Sequence, residues 1–253
     1  MDDLSSSIRT YNYSSEDPTL KPSEQEVITE QSVALWVNGD MWLTFICSPI
    51  NLKALTVGFL WNEHVIDRLK DIQSIDITST NDIIKVNLNK PVDKPLAWHR
   101  TSTGIAFSPE IVGQPVANHF EMKAEKLISL YENFISKQPL YKSIGGFHSA
   151  ALSDGRTINL SVEDVGRHNC LDKLAGLLLL NDKPLTPHLV LLTGRISSEM
   201  VHKSLRMNAA FLISRTTPTA NAVKTAMTNN LTIIGYLRSN KFTIYSHPER
   251  VLI

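Results

Sequence analysis

The chain has 253 residues, 42% of them hydrophobic, enough for one large domain or for a core domain with a smaller appendage. Lys plus Arg match Asp plus Glu at 25 each, so the global basic field that draws a protein to nucleic acid is absent and any polyanion must be met locally. Met1-Asp2-Asp3-Leu4 has neither a basic nor an apolar leader character, and the most apolar stretch, Leu174 to Leu180, is far too short to span a bilayer. The expectation is a cytoplasmic protein with neither nucleic acid nor membrane as partner. The two cysteines, Cys47 and Cys170, form no C-x-x-C pair, which supports neither a disulfide framework nor a cysteine-ligated zinc.

Residues 1–25 are polar and without periodicity, which predicts a mobile or loosely attached arm. Residues 26–120 read as a β-rich N-terminal subdomain with a long Pro-rich loop, and 121–253 as an α/β core. Val33–Val37 and Met41–Ile46 flank Asn38-Gly39, a strong hairpin signal. Ser48-Pro49 then supply an N-cap and first helical position for a helix carrying Leu52, Leu55 and Phe59. Asp71–Thr78 and Ile83–Leu88 form a second hairpin. Four prolines and two glycines between Lys90 and His119 argue against regular structure there. A loop of that length is usually functional or disordered.

A helix over Glu121–Ser136 presents Leu127, Leu130, Tyr131 and Phe134 on one face. Ser143–Leu152 reads as a strand, Asp154-Gly155 as a two-residue turn, and Asn159–Val165 as the returning strand. Gly166-Arg167-His168-Asn169 is a corner opening an apolar helix over Leu171–Leu180. Beyond it strands and helices alternate: strands His188–Leu192, Ala210–Ser214 and Leu231–Leu237, with helices from Ser197 to about Asn208 and from Thr217-Pro218 to Thr228. This pattern predicts a mixed, largely parallel sheet with helices on both faces, with ligands outside the carboxyl ends of the strands. Arg195, Arg215 and the run Tyr236-Leu237-Arg238-Ser239-Asn240-Lys241 fall on that edge.

No G-x-G-x-x-G or Walker loop is present. The corner residues Gly166, Arg167 and His168 sit at a helix N-terminus, whose free N–H groups and positive end suit an anion. The same corner reads equally as a cap, with Asp164 or Asn169 capping and Arg167 paired to Asp164. Converging arginines 167, 195, 215 and 238 with Lys241 suit a pyrophosphate. A zinc-deaminase reading of His148 fails because Ala150 stands where H-x-E needs a glutamate and the paired cysteines are missing, so no zinc is expected. Cys170 reads as a buried structural thiol at a helix start.

Several of these segments together resemble the formate dehydrogenase accessory protein family, FdhD/NarQ. They are Gly58-Phe59-Leu60, Gly145-Gly146-Phe147-His148-Ser149-Ala150-Ala151-Leu152, Glu163-Asp164-Val165-Gly166-Arg167-His168-Asn169, Thr193-Gly194-Arg195 with Glu199-Met200-Val201, Pro218-Thr219 and Tyr245-Ser246-His247-Pro248-Glu249-Arg250. The resemblance, from about Glu26 to Val251, implies a cytidine-deaminase-like fold without zinc and a cytoplasmic homodimer. It also implies carriage of sulfur from a cysteine desulfurase to the molybdenum bis(molybdopterin guanine dinucleotide) cofactor of formate dehydrogenase. The implied cofactor-binding segment is Tyr236 to Lys241. The family's sulfur-accepting loop carries a Cys-Gly-x-Cys core, and the matching segment here, Thr101-Ser102-Thr103-Gly104-Ile105-Ala106-Phe107, has neither cysteine. A non-catalytic paralogue that chaperones the cofactor and a deaminase-like hydrolase are the alternatives.

Overall fold

The computed structural model describes residues 4–94, 99–101, 104–106, 115–116, 120–181, 185–186 and 188–253. Strands β3 (Gln31–Val37) and β4 (Asp40–Cys47) pair across Asn38-Gly39, whose φ values of 50° and 91° are those a two-residue hairpin turn demands. With β5 (Ile72–Ile77) and β6 (Ile83–Leu88) they make a four-stranded sheet ordered β4-β3-β6-β5. Helix α1 (Leu52–Asn62) packs on this sheet through Leu52, Leu55, Phe59 and Leu60. Its N-cap is Asn51, in the left-handed region at φ 54°, and not Ser48. Ser48 is fully buried and hydrogen-bonds to Asp164 and Val165 instead, which is why it cannot serve as the cap.

The core is a six-stranded sheet ordered β11-β10-β12-β13-β14-β15. Its strands are β10 (His148–Ser153), β11 (Ile158–Asp164), β12 (Leu189–Leu192), β13 (Phe211–Ser214), β14 (Thr232–Arg238) and β15 (Lys241–Ile244). The central β12, β13 and β14 are parallel, and the flanking pairs are antiparallel. Every residue of β12 and β13 is buried. Since alternate residues point to opposite faces, both faces of the sheet are covered. The helices involved are α2 (Ala124–Ser136), α4 (Arg167–Leu180), α5 (Ser198–Arg206) and α6 (Ala220–Thr228), with a short α3 (Pro139–Ser143) between α2 and β10. The mixed α/β class thus stands as expected.

Helices α1 and α4 cross through glycines and bind the two sheets together. A Cβ on Gly58 would fall on the carbonyl oxygen of Asp172 and lie 2.6 Å from Gly176 N, while one on Gly176 would fall on the carbonyl oxygen of Ala54. The chain closes with β16 (Val251–Leu252), which pairs in parallel with β9 (Met122–Lys123) immediately before α2.

Local details depart from the sequence pattern where side chains override it. Ser5–Asn12 and Lys21–Ile28 are strands β1 and β2, an antiparallel hairpin that takes up most of the stretch expected to be an arm and runs three residues past its end. Its faces are mostly polar and exposed, so the ladder of backbone bonds gave no alternating apolar signal. The β10–β11 connection is four residues, Asp154–Thr157, and not two. There the Asp154 carboxylate accepts from the N–H groups of Arg156 and Thr157, both at 2.8 Å, closing the turn itself. Ser143 ends α3, and positive φ at Gly145 and Gly146 delays β10 to His148. Within the Pro-rich stretch, β7 (His99–Thr101) and β8 (Gly104–Ala106) form a small hairpin where no regular structure was expected.

Candidate functional site

Because β12, β13 and β14 are parallel, the segments leaving them share one edge: Thr193-Gly194-Arg195, Arg215-Thr216 and Arg238-Ser239-Asn240. Tyr131 of α2 ties two of these exits together. Its hydroxyl donates to the Leu192 carbonyl at 2.6 Å and accepts from the Arg215 N–H at 2.8 Å. Ser214 Oγ, donating to the Gly194 carbonyl at 2.6 Å, adds a second tie. The turn after β14 has Ser239 and Asn240 at φ 50° and 60°, which swings the Arg238 end back beside α2.

Between this turn and α2 lies a pocket of about 210 Å³. Ile135 and Leu237 give it apolar walls, the buried Tyr131 borders it, and Arg215, Arg238, Ser239, Asn240 and Glu132 supply its polar groups. Of the expected segment, Leu237, Arg238, Ser239 and Asn240 therefore converge. Tyr236 turns its ring largely outward, with the Arg238 guanidinium carbon 5.8 Å from the ring centre. Lys241 opens β15 opposite Arg238 and is exposed, outside the pocket lining.

The corner before α4 forms a second group on the same edge. Asp164 organises it: one oxygen accepts from Gly166 N–H at 2.7 Å and Asn169 Nδ2 at 2.8 Å, the other from Ser48 N–H at 3.1 Å and from the Lys173 ammonium at 2.5 Å. Asp164 thus pairs with Lys173 and not with Arg167, and both partners are wholly buried. Gly166 is the N-cap at an ordinary φ of −104°, and space explains it better than strain: a Cβ there would lie 2.7 Å from Asn169 Nδ2.

Arg167 lies along Gly194, where a Cβ would be 3.1 Å from its Cδ and 3.3 Å from His148 Nδ1. Burial and the neighbouring Arg195 both lower the Arg167 guanidinium's affinity for its proton, and burial with Arg167 does the same to His148. Arg167 and Arg195 crowd two like charges beside His148, whose imidazole is held neutral, with Glu199 as the carboxylate acting against them on Arg167, and an anion would relieve what repulsion remains. His168 is different. It is 5% exposed and its Nε2 meets Glu199 Oε2 at 2.6 Å, so it braces α4 against α5 and does not face the edge. Burial lowers its pKa against the opposing pull of Glu199, whose own pKa the His168 hydrogen bond lowers. Among the described residues, no three His, Cys, Asp or Glu side chains are placed to hold a metal ion.

A sequence profile of the FdhD/NarQ family matches residues 28–252. The chain belongs to the FdhD/NarQ family. It is 32% identical over 248 residues to a sulfur carrier protein FdhD from Staphylococcus aureus strain MRSA252, covering 94% of this chain and 93% of that one. The same protein from strain Newman is 31% identical over the same span. In fold it is similar to a solved chain from Desulfotalea psychrophila described as a formate dehydrogenase accessory protein, with TM-score 0.82, 23% identity, and coverage of 98% of this chain and 100% of that one.

The motifs that carry the FdhD/NarQ resemblance divide between fold and site. Gly58 is a helix-crossing contact, Glu163 accepts from the N–H groups of Leu140 and Tyr141 at the start of α3, and Asp164 holds the corner. Ser246 clasps Leu231 and Ile233, and Arg250 donates to the Asn230 carbonyl at 2.6 Å, so Tyr245–Arg250 pins the start of β14. Of these motifs, His148, Arg167 and Gly194-Arg195 gather at the edge, beside the end of β14 and the turn after it. Tyr131 and Glu132 were missed by sequence reasoning. Tyr131 falls on the apolar stripe of α2 and reads as core, and nothing local marks the exposed Glu132.

Of the loop matched to the family's sulfur-accepting cysteines, Ser102, Thr103 and Phe107 lie outside the described residues. The chain's own thiols are both inside the core. Cys47 is fully buried, with its pKa pushed up to about 12 by burial, and Cys170, 1% exposed, is raised well above its ordinary value, also by burial. The Cys170 thiol donates to the His148 carbonyl at 3.4 Å. A thiolate is the reactive form, so both cysteines are expected to label with a thiol reagent far more slowly in the native protein than in denaturant. Rapid native labelling of Cys170 would show that this helix start opens.

Proposed function

We propose that the chain is a formate dehydrogenase accessory protein that holds the guanine dinucleotide end of the molybdenum cofactor on its basic strand edge. The observation that carries this reading is the pocket that Arg215 and Arg238 share with Tyr131, Ser239 and Asn240. At about 210 Å³ it lies below the roughly 300–1,000 Å³ typical of pockets enclosing a whole small molecule. One ring system fits, with phosphates left to the flanking guanidiniums and to the Arg167–Arg195 group.

Sulfur carriage on this chain's own thiols does not follow from the same site. A persulfide needs an accessible thiolate, and Cys47 and Cys170 are buried and held protonated. The relatives are named sulfur carriers, so this reading separates cofactor holding from sulfur carriage and leaves the thiol to another protein. A cysteine desulfurase and a formate dehydrogenase are the partners it implies, with a cytoplasmic homodimer as the working form. No helix among the described residues is long and apolar enough to cross a membrane.

Calorimetric titration with guanosine diphosphate tests the site. Arg215→Ala and Arg238→Ala should each weaken binding about tenfold to hundredfold, the loss of one charge-assisted contact of roughly 1.5–3 kcal/mol. Thermal stability should barely change, because both side chains stand at strand exits outside the core. Unaltered affinity in both variants would place the nucleotide elsewhere.

A further inference from the structure

We propose that Glu132 reads the base of the bound nucleotide and makes the pocket selective for guanine. This rests on the guanine-nucleotide reading above and assigns its selectivity to one side chain. Glu132 lies on α2 beside Tyr131 and Ile135, and shares the pocket lining with Arg215, Arg238 and Asn240 from the strand exits. Although two guanidiniums line the same pocket, Glu132 forms no ion pair among the described residues. Its carboxylate oxygens are not taken up by those neighbours.

An ionised carboxylate only accepts hydrogen bonds. Guanine offers it a ring N–H with the exocyclic amino group alongside, two donors in a row that match the two oxygens. Adenine offers one amino donor beside a ring-nitrogen lone pair, which a carboxylate repels. The apolar walls from Ile135 and Leu237 suit the faces of a flat ring, and the volume admits one ring system. An acid in a pocket otherwise built for phosphate suits the base, leaving the phosphates to Arg215 and Arg238.

The plain alternative is that Glu132 only offsets the two arginines, and the two roles predict opposite signs. Removing an offsetting carboxylate would tighten every anionic nucleotide. Removing a base reader weakens the guanine nucleotide and leaves the adenine nucleotide unchanged or tighter.

The experiment titrates the full chain and its Glu132→Gln and Glu132→Ala variants with guanosine, inosine and adenosine diphosphates by calorimetry. The unaltered chain should prefer guanosine over adenosine diphosphate by at least about tenfold, with inosine diphosphate, which lacks the amino group, between them. Both variants should lose about tenfold to hundredfold for guanosine diphosphate, less for inosine diphosphate and nothing for adenosine diphosphate. Glu132 is exposed on its helix, so both variants should fold normally by circular dichroism. No guanosine diphosphate binding by the unaltered chain would remove the reading above. Binding that is indifferent to the base, or that stays equal or tightens in both variants, would overturn the role of Glu132 and leave that reading standing.

Discussion

Gly58→Ala and Gly176→Ala are each expected to destabilise the protein by about 3 kcal/mol or more, read as a lowered urea midpoint or a loss of soluble folded chain. Overpacking a core usually costs about 1–3 kcal/mol because side chains can shift to make room. Here the added methyl meets backbone on both sides: Asp172 and Gly176 for one glycine, Ala54 for the other. The helices must part. Parting them would also strain the buried Asp172, which accepts from Asn62 Nδ2 of α1 at 2.7 Å across the same interface while its other partner, the Lys203 ammonium of α5 at 2.6 Å, holds it in place. An unfolding midpoint like that of the unaltered chain would mean that α1 and α4 do not cross this closely.

Asp164→Ala should cost a comparable amount, about 3–5 kcal/mol, the range for removing one partner of a buried ion pair. The Lys173 ammonium, with no exposed surface, would keep only the Ser48 carbonyl, and the N–H groups of Ser48 and Gly166 would lose their acceptor. The loss comes from the uncompensated charge. Asp164→Ala combined with Lys173→Met should accordingly be less damaging than Asp164→Ala alone. A double variant as unstable as the two single effects added together would mean that the pair is not coupled.

Much of the architecture was legible because it is local. Asn38-Gly39 and the apolar runs Leu189–Leu192 and Phe211–Ile213 announce a hairpin and central strands without help from the rest of the chain, and the parallel order then puts Arg195, Arg215 and Arg238 on one edge. What escaped depends on contacts between distant segments. Asp164, Asp172, Lys173 and Lys203 are buried polar residues that find their partners across α1, α4 and α5, and a charged residue in a helix otherwise reads as surface. His168 lies in the expected anion corner, yet Glu199, thirty-one positions on, takes its ring. Glu132 and Tyr131 meet the strand exits only because α2 is docked there.

A short ladder reinforces that docking, which the buried face of α2 and the Tyr131 hydroxyl carry. Val251 and Leu252 pair with Met122 and Lys123, and α2 begins at the very next residue, Ala124. During synthesis, chains fold from the N-terminal side as they emerge. The α1-bearing sheet can consolidate early, but α2 lacks this reinforcement, and the pocket lacks the wall from Leu237–Asn240, until the residues after β14 have left the ribosome. On the proposed reading, the nucleotide pocket is therefore incomplete on a nascent chain. Damage to the 251–252 ladder should register in ligand affinity well before it registers in the stability of the N-terminal sheet.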